Sequence, residues 1–440
     1  MLKRTLSFIT LCCISAATTI AQPFNKAKMD SLMETIATHD KGMGSLAVAE
    51  KGELIYARAI GFKNDEHAPA DINTKYRIGS ITKMFTATMI FQLVEEKKLT
   101  LATTLDKFYP KIPNAKKITI GQMLSHRSGI HSFTDDSEYL LWHTKPHTQA
   151  ELLDIIIKGG SDFVPDSKAE YSNSNFVLLG YIAEKLTKQS YAQAVQQRII
   201  TKAGLKNTYV GTKTNVANNE AYSYSMGEKW EQEPETDMSI PGGAGAILST
   251  PSDLTLFITA LFNNKLISKT SLDQMTTIKD GYGMGIFQIP FGAKKCYGHT
   301  GGIDGFSSSL VYFPGDSAAV AYCNNGQVMT TNDIMIGALS ICFNVPYKIP
   351  DFKVVEVSEN TLRSYTGVYA SAAIPLKITV SLKGKNLFAQ ATGQGEFPLS
   401  AKNDTTFEFT QAGITMLFDA AKNEMTLKQG GGVYNFKKAN

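Results

Sequence analysis

A serine and a lysine three residues apart, Ser80 and Lys83, are the side chains of this 440-residue chain with the clearest chemical potential. Three residues are close to one helical turn, so on a helix that begins near Ser80 the amine can reach the hydroxyl. A serine hydroxyl is a weak nucleophile unless a base takes its proton, and a partly buried lysine can be that base. The free N–H groups of a helix start would stabilise an oxyanion beside Ser80. The pair predicts acyl transfer through Ser80.

Two further motifs make this prediction more specific, because a serine and a lysine at this spacing also occur by chance. The run 171–173, Tyr-Ser-Asn, stands just before a predicted helix, and the run 299–302, His-Thr-Gly-Gly, follows a short predicted strand. Taken singly, Tyr171 could be a half-buried tyrosine, Asn173 a helix cap and His299 a satisfied strand histidine. Together and in this order, the three motifs match the pattern of serine β-lactamases and penicillin-binding enzymes.

The chain resembles the branch of that family that contains class C β-lactamases, D-alanyl-D-alanine carboxypeptidases, D-aminopeptidases and related esterases. The resemblance covers about residues 30–345. It includes the run 124–130, which is similar to the branch's LLSHTSGI segment with Arg127 in place of threonine, and the Pro-Gly-Gly run 241–243 followed by the helix start at 250–254. We expect Arg127 to face solvent or a carboxylate. The resemblance implies an α+β fold, a β-lactamase/transpeptidase-like domain with an antiparallel sheet and a helical lobe.

The resemblance also implies roles in an acyl-serine reaction. Ser80 would be acylated, and Lys83 would help to take its proton. Tyr171 would be the second acid/base group and would pass the proton to the leaving group. Asn173 would bind the amide side chain of the substrate or orient Lys83. His126 belongs to a segment that is structural in the family, so we expect a structural role for it.

The strand motif would complete the pocket. The resemblance implies that His299, Thr300 and Gly301 bind the substrate at the place where its carboxylate or polar end lies. The backbone N–H groups of Ser80 and Gly302 would form the oxyanion hole, and glycine there lets the strand approach the substrate closely. A cationic His299 would bind a carboxylate, so this reading predicts activity that depends on pH near neutrality.

The identity of residue 299 guides the choice among functions. His299 stands where class C β-lactamases usually carry lysine, and histidine there is similar to the carboxypeptidase and D-aminopeptidase members. We therefore expect a D-amino-acid-type peptidase, resembling a D-alanyl-D-alanine carboxypeptidase or a D-aminopeptidase. A carboxylesterase of the same fold is the main alternative. A weak β-lactamase, or a penicillin-binding receptor that is acylated and hardly turns over, is a further one. The substrate would accordingly be a small peptide, an ester or a β-lactam.

The elements that must position these residues can be read from hydrophobic periodicity and turn signals. Strands are predicted at both ends of the first domain and helices between them, so the terminal strands should share one antiparallel sheet. One helix should open at a Thr119–Gln122 capping box and end at Gly129. The other predicted segments are a hairpin at 46–61, helices at 80–96, 175–187, 191–203 and after Pro251, and strands at 295–300, 307–313 and 318–323.

The last part of the chain has a different period. Residues 346–359 form a predicted linker, and from Leu376 to Leu382 apolar and polar residues alternate before a turn. Residues 360–440 therefore predict a small all-β domain, lipocalin-like or another barrel of antiparallel strands, with no catalytic constellation. The hydrolase domain would then span residues 22–345.

The N-terminus resembles an export signal. A basic start at Lys3 and Arg4, an apolar stretch and small residues before Gln22 predict a signal peptide at residues 1–21 and a periplasmic or extracellular protein. The apolar stretch is shorter than the roughly 20 residues that span a bilayer, which disfavours an uncleaved anchor. A lipid anchor on Cys12 or Cys13 is a further alternative.

Composition excludes some classes of function. The residues are 43% hydrophobic and 19% charged with a net charge of +4, which suits globular domains. The sequence contains no stripe of lysine and arginine with interleaved aromatic residues, so nucleic-acid binding is not predicted. Cys296, Cys323 and Cys342 have no zinc-ligand spacing and indicate no disulfide framework, although the sequence leaves open whether two of them pair. We expect no metal or other cofactor, and the oligomeric state stays open.

Overall fold

The computed structural model describes residues 24–352, 355–374, 376–409 and 412–439. The predicted signal peptide, residues 1–21, lies outside the described residues. The chain divides into two compact units, Met1–Ile349 and Pro350–Asn440, called here the N-terminal and C-terminal units. In the described part of the chain, no helix combines the length and the apolar character that crossing a membrane requires.

A six-stranded antiparallel sheet organises the N-terminal unit. The strands of this unit are β1 (Gly42–Glu50), β2 (Glu53–Ile60), β3 (Tyr76–Arg77), β4 (Tyr209–Val210), β5 (Tyr224–Met226), β6 (Trp230–Gln232), β7 (Ile247–Ser249), β8 (Phe287–Phe291), β9 (Lys294–Ile303), β10 (Phe306–Phe313) and β11 (Ala318–Gln327). The sheet has the order β2-β1-β11-β10-β9-β8. Strand β1 pairs with β11, with Leu46 opposite Tyr322, so the prediction that terminal strands share one sheet is confirmed.

Helices pack on this sheet and form a separate lobe. They are α1 (Lys26–Thr38), α2 (Thr82–Glu95), α3 (Ile120–Leu124), α4 (Tyr139–Trp142), α5 (Gln149–Gly159), α6 (Asn173–Thr187), α7 (Tyr191–Val195), α8 (Thr201–Ala203), α9 (Gly242–Gly245), α10 (Pro251–Phe262), α11 (Lys269–Met275) and α12 (Thr331–Cys342). A π-helical turn joins α7 to α8, so the predicted helix over 191–203 is continuous.

The helix predicted at 119–129 begins where it was predicted but ends earlier than predicted. Thr119 and Gln122 form the capping box at the start of α3. The helix stops at Leu124, five residues before the predicted end at Gly129, because His126 has a positive φ of 56°. The backbone then pairs elsewhere, and the Asp162 N–H donates to the Gly129 carbonyl over 2.9 Å. Gly129 therefore belongs to this later turn and not to the end of the helix.

Helix α2 lies in the core of the N-terminal unit. Its residues are buried continuously from Thr82 to Leu93. A helix that is apolar nearly all round is stable only inside a large core, and α2 packs against α6 and α9. One 3₁₀ turn, Gly79–Ile81, precedes it and brings Ser80 to the surface of a cleft at the helix start.

Two glycines allow the backbone to approach this helix start. A Cβ atom on Gly301 of β9 would lie 2.0 Å from the Ile78 carbonyl oxygen. A Cβ on Gly243 of α9 would lie 2.5 Å from the Phe176 carbonyl oxygen of α6. Only glycine permits either contact, so the sequence brings β9, α6 and α9 close around residues 78–83.

The C-terminal unit is a closed barrel of antiparallel strands in sequential order. It contains α13 (Glu359–Tyr365), β12 (Gly367–Ala370), β13 (Lys377–Lys383), β14 (Asn386–Ala391), β15 (Glu396–Ala401), β16 (Thr406–Phe409), β17 (Ile414–Asp419), β18 (Glu424–Gln429) and β19 (Gly432–Lys438). Its buried cluster includes Tyr365, Phe407 and Phe418. The predicted all-β fold of this region is confirmed, because alternate residues of each strand fill the barrel interior.

Candidate active site

Ser80 lies between two groups that can exchange protons with it. The Lys83 Nζ atom is 2.9 Å from Ser80 Oγ, and the Tyr171 hydroxyl donates a hydrogen bond to the same oxygen over 2.8 Å. The lysine reaches the serine from one helical turn along α2, whereas the tyrosine comes from the segment just before α6. The structure thus brings together the serine, lysine and tyrosine that the sequence singled out.

The surroundings of Lys83 favour a neutral amine. The side chain is fully buried, and this burial lowers the pKa of Lys83 well below its ordinary value. Nζ donates to the carbonyl oxygens of Asn173 (Oδ1, 2.7 Å) and Ala244 (2.8 Å). A neutral amine has two N–H groups and one lone pair. With both N–H groups on these two acceptors, the lone pair is left for the Ser80 hydroxyl.

Tyr171 is held in its protonated form. Burial raises the pKa of its hydroxyl above the ordinary value. Its ring stacks on the His126 imidazole, with centroids 4.4 Å apart. His126 accepts a hydrogen bond at Nδ1 from the Ser172 N–H, and burial lowers the pKa of His126 well below the ordinary range. Neutral His126 therefore acts as a packing wall for Tyr171, as expected of a structural residue.

Asn173 connects Lys83 to the opposite loop. Its Oδ1 accepts from Lys83, and its Nδ2 donates to Thr134 Oγ1 over 2.8 Å. Ser172 is the N-cap residue of α6, so Asn173 is the first helical residue and not the cap. These contacts correspond to the Lys83-orienting role that the resemblance allowed. Arg127 in turn pairs with carboxylates, those of Asp166 and Asp280.

A carboxylate-binding role of His299 requires a cationic imidazole, and the surroundings of His299 disfavour that form. The imidazole is only 2% exposed, and burial, with a smaller effect of nearby Lys83, lowers the pKa of His299 to about 3. Its Nδ1 donates to the Thr300 carbonyl, and its ring packs against Phe287 and faces Tyr171. At neutral pH His299 is uncharged and lies behind the cleft surface, so it supplies no cation for a substrate carboxylate.

The remaining strand residues alternate between the two faces of β9. Thr300 and Gly302 are exposed, and Gly301 is half-buried against Ile78. Gly302 lines the cleft together with Gly79 and Ser80. A Cβ on Gly79 would lie 2.8 Å from the Gly302 nitrogen, so the two backbones are in close contact there. The two N–H groups predicted for the oxyanion hole thus belong to adjacent backbone segments.

The cleft over Ser80 has a volume of about 580 Å³, large enough for a small peptide. Its walls also include residues outside the sequence motifs, most of which come from the segments 133–143 and 233–236. The lining residues outside the motifs are Phe133, Thr134, Tyr139, Leu140, His143, Glu233, Pro234, Thr236, Ala244, Gly245, Ile303 and Asp304. Only the position of these loops between motifs could have drawn attention to them.

A buried ion cluster supports one wall of the cleft. Arg77 is buried and bonds Asp304 Oδ2 over 3.0 Å and Glu235 Oε2 over 2.6 Å. Asp304 Oδ1 accepts from the backbone and the hydroxyl of Thr236. The cluster fixes the end of β9 to the loop that follows β6. Within the described ranges no group of three or more His, Cys, Asp and Glu side chains could hold a metal ion.

This geometry, a serine with a lysine one turn later and a tyrosine beside it on an α+β scaffold, defines a class of serine hydrolases. The chain belongs to the Beta-lactamase family, whose model matches residues 29–337, and it is a serine hydrolase of that family. A curated relative is penicillin-binding protein 4* of Bacillus subtilis (strain 168), which is 26% identical over 92% of this chain and 97% of that protein.

Two solved structures are similar to this chain. A D-stereospecific amidohydrolase from Streptomyces sp. has a TM-score of 0.64 and 28% identity, over 73% of this chain and 99% of its own. The octameric penicillin-binding protein homologue from Pyrococcus abyssi has a TM-score of 0.68 and 24% identity, over 94% of this chain and 99% of its own. The second likeness extends the shared fold over nearly the whole chain.

Proposed function

We propose that this chain is an exported serine hydrolase that cleaves amide bonds formed by D-amino acids in small peptides or amides, through an acyl-enzyme on Ser80. The observation that carries the proposal is the hydrogen-bonded series Tyr171–Ser80–Lys83, with contacts of 2.8 and 2.9 Å. The likeness to a D-stereospecific amidohydrolase supports the substrate class. The pattern of residues 1–21 supports export.

In the proposed acylation, Ser80 Oγ gives its proton to Lys83 and bonds to the substrate carbonyl carbon. The backbone N–H groups of Ser80 and Gly302 stabilise the resulting oxyanion. The bond to the leaving nitrogen then breaks, and that nitrogen takes the proton of Tyr171. Transfer of a proton from the Lys83 ammonium to the tyrosinate restores both groups. Because both groups start neutral, no charged side chain has to be held in the buried site before the reaction begins.

Deacylation follows the same route with water as the nucleophile. Water gives a proton to Lys83 and attacks the acyl carbon, the bond to Ser80 breaks, and the serine oxygen takes the proton back from Lys83. Asn173 holds the lysine in place through both steps, since Lys83 donates to its carbonyl oxygen. His299 stays neutral and packs beside Tyr171 throughout.

The proposal is tested with matched p-nitroanilides and p-nitrophenyl esters of D- and L-alanine and with nitrocefin. We expect hydrolysis of the D-alanine compounds at least about tenfold faster than of the L-alanine compounds, since a specific pocket discriminates by 1–3 kcal/mol. Ser80→Ala protein is the blank. Equal rates for both enantiomers would contradict the proposed stereochemistry. A single stoichiometric burst without further product would favour a receptor.

A carboxylesterase is the second candidate. The apolar wall of the cleft favours it, because Phe133, Leu140 and Ile303 line the cleft and could bind an alkyl group. The neutral His299 does not require a charged substrate either. Faster hydrolysis of p-nitrophenyl butyrate than of any alanine derivative would put the esterase first.

A further inference from the structure

The charged side chains that line the cleft are acidic rather than basic. Apart from His143 and Tyr139, the ionisable groups that line it are the carboxylates of Glu233 and Asp304, and no lysine or arginine of residues 24–352 is among the lining residues. Asp304 is neutralised by its ion pair with Arg77 at 3.0 Å. Glu233 forms no ion pair with any of the described residues. It is therefore the carboxylate in the cleft wall that is left for a ligand.

The backbone of Glu233 is held in place. Its backbone N–H donates to the Ser223 carbonyl over 2.8 Å. A Cβ on Gly305 would lie 3.0 Å from Glu233 Cγ, so the side chain packs against the turn just beyond β9. The side chain is half-buried, which weakens the screening of its charge by solvent. Glu233 therefore carries its carboxylate on a backbone segment that is held in place at the cleft wall.

The same strand shows which part of the substrate Glu233 meets. Tyr171, the proposed proton donor to the leaving group, faces His299, with ring centroids 6.4 Å apart. Gly302, the proposed oxyanion donor, follows along β9, and Gly305 with Glu233 lies beyond it. If the leaving group lies at the His299 end and the carbonyl at Gly302, the acyl part extends toward Glu233.

We propose that Glu233 binds the free α-ammonium group of the substrate's acyl residue. The enzyme would then act on D-aminoacyl amides and on the N-terminal residue of peptides, rather than on acylated peptides with a C-terminal carboxylate. This inference rests on the proposed function and selects one of the two peptidase types that the sequence left open. Glu233 is a specificity-determining residue in this account, and it takes no part in proton transfer.

The test compares D-alanine p-nitroanilide with N-acetyl-D-alanine p-nitroanilide and with diacetyl-L-lysyl-D-alanyl-D-alanine. In the wild type we expect kcat/KM for the free amine to exceed that for the N-acetyl compound at least about tenfold, the usual scale of one charged hydrogen bond. Glu233→Gln keeps the shape and removes the charge. It should lower kcat/KM for the free amine about tenfold, mainly through KM, and leave the N-acetyl compound unchanged.

Glu231→Gln is the matched control, since Glu231 is an exposed carboxylate two residues away on β6 and does not line the cleft. It should change neither substrate. The inference is overturned if Glu233→Gln affects both anilides equally or neither, or if the acylated tripeptide is the better substrate; the D-peptidase proposal survives those results. Hydrolysis of simple esters with no cleavage of any D-alanine compound would overturn both.

Discussion

At the scale of single residues, the proposed reaction depends on a neutral Lys83. Its amine is enclosed and makes three contacts, of which two are to carbonyl oxygens that accept only. Burial thus does two things for Lys83: it lowers the pKa and directs the lone pair to Ser80. Burial also keeps Tyr171 neutral, because it raises the pKa of the hydroxyl, which therefore retains its proton.

The first prediction concerns Lys83. Lys83→Met removes the base and keeps an unbranched side chain in the core, so we expect the protein to fold. Labelling of Ser80 by a fluorescent fluorophosphonate should be slower by about a hundredfold or more, the usual effect of losing a general base. Circular dichroism checks the fold. Labelling at the wild-type rate would show that another group takes the serine proton.

The second prediction concerns His299 and pH. The folded-state pKa of His299 is about 3 and the ordinary value is 6.5, so between these pH values the unfolded chain binds a proton that the folded chain does not. The free energy of unfolding should therefore fall as the pH falls through this window, by up to about 1.4 kcal/mol per pH unit for this group. In His299→Gln that part of the slope should vanish, while His126 still contributes its own.

Urea unfolding of both proteins at several pH values between 4 and 7 measures the difference. Parallel curves for wild type and His299→Gln would mean that His299 is charged in the folded protein. The same uncharged state predicts that the pH profile of kcat/KM near neutrality does not depend on whether the substrate carries a carboxylate.

At the scale of elements, the closeness of β9 to the start of α2 sets the position of the proposed oxyanion hole. Gly301 is the contact point, because any side chain there would meet the Ile78 carbonyl. Gly301→Ala should push β9 away and displace the Gly302 N–H. We expect kcat on a small ester to fall by about tenfold to a hundredfold, since misplacement by about 1 Å has effects of that size.

Gly315→Ala is the control for this third prediction, because a Cβ there meets no atom within 4 Å. It should keep wild-type kcat, and thermal unfolding should be followed for both variants. A Gly301→Ala protein with wild-type kcat would show that β9 can shift without loss of activity and that the proposed oxyanion hole does not depend on this contact.

The sequence was enough to predict many of the elements and the local motifs, but not the contacts between distant segments. Ser80 and Lys83 were predictable because one helical turn links them. The Ala244 carbonyl that accepts from Lys83 lies 161 residues away, and no pattern in the sequence indicates that contact. The sequence could not decide the charge of His299, because the residue type gives only the ordinary pKa, whereas burial shifts it. Glu233 belongs to a loop with no motif.

At the scale of the whole molecule, the groups of the proposed reaction all come from the N-terminal unit. Ser80, Lys83, Tyr171 and Gly302 lie between Met1 and Ile349. The C-terminal unit has its own buried cluster within a closed barrel, which is what an independently folding domain requires.

The fourth prediction follows from this division. A chain ending at Ile349 should fold and keep kcat/KM for a small ester within about threefold of the full chain, because separate domains fold on their own. Active-site titration with a fluorophosphonate corrects for misfolded protein. A folded but inactive chain would show that the barrel contributes to the site.

The central claim is that Ser80 carries the acyl group during turnover. The most direct measurement is mass spectrometry of protein quenched in acid during hydrolysis of D-alanine p-nitrophenyl ester, followed by trypsin digestion. The account predicts one D-alanyl group on the tryptic peptide 78–83, which begins after Arg77 and ends at Lys83, and none in Ser80→Ala. An adduct on another peptide, or undiminished turnover by Ser80→Ala, would contradict it.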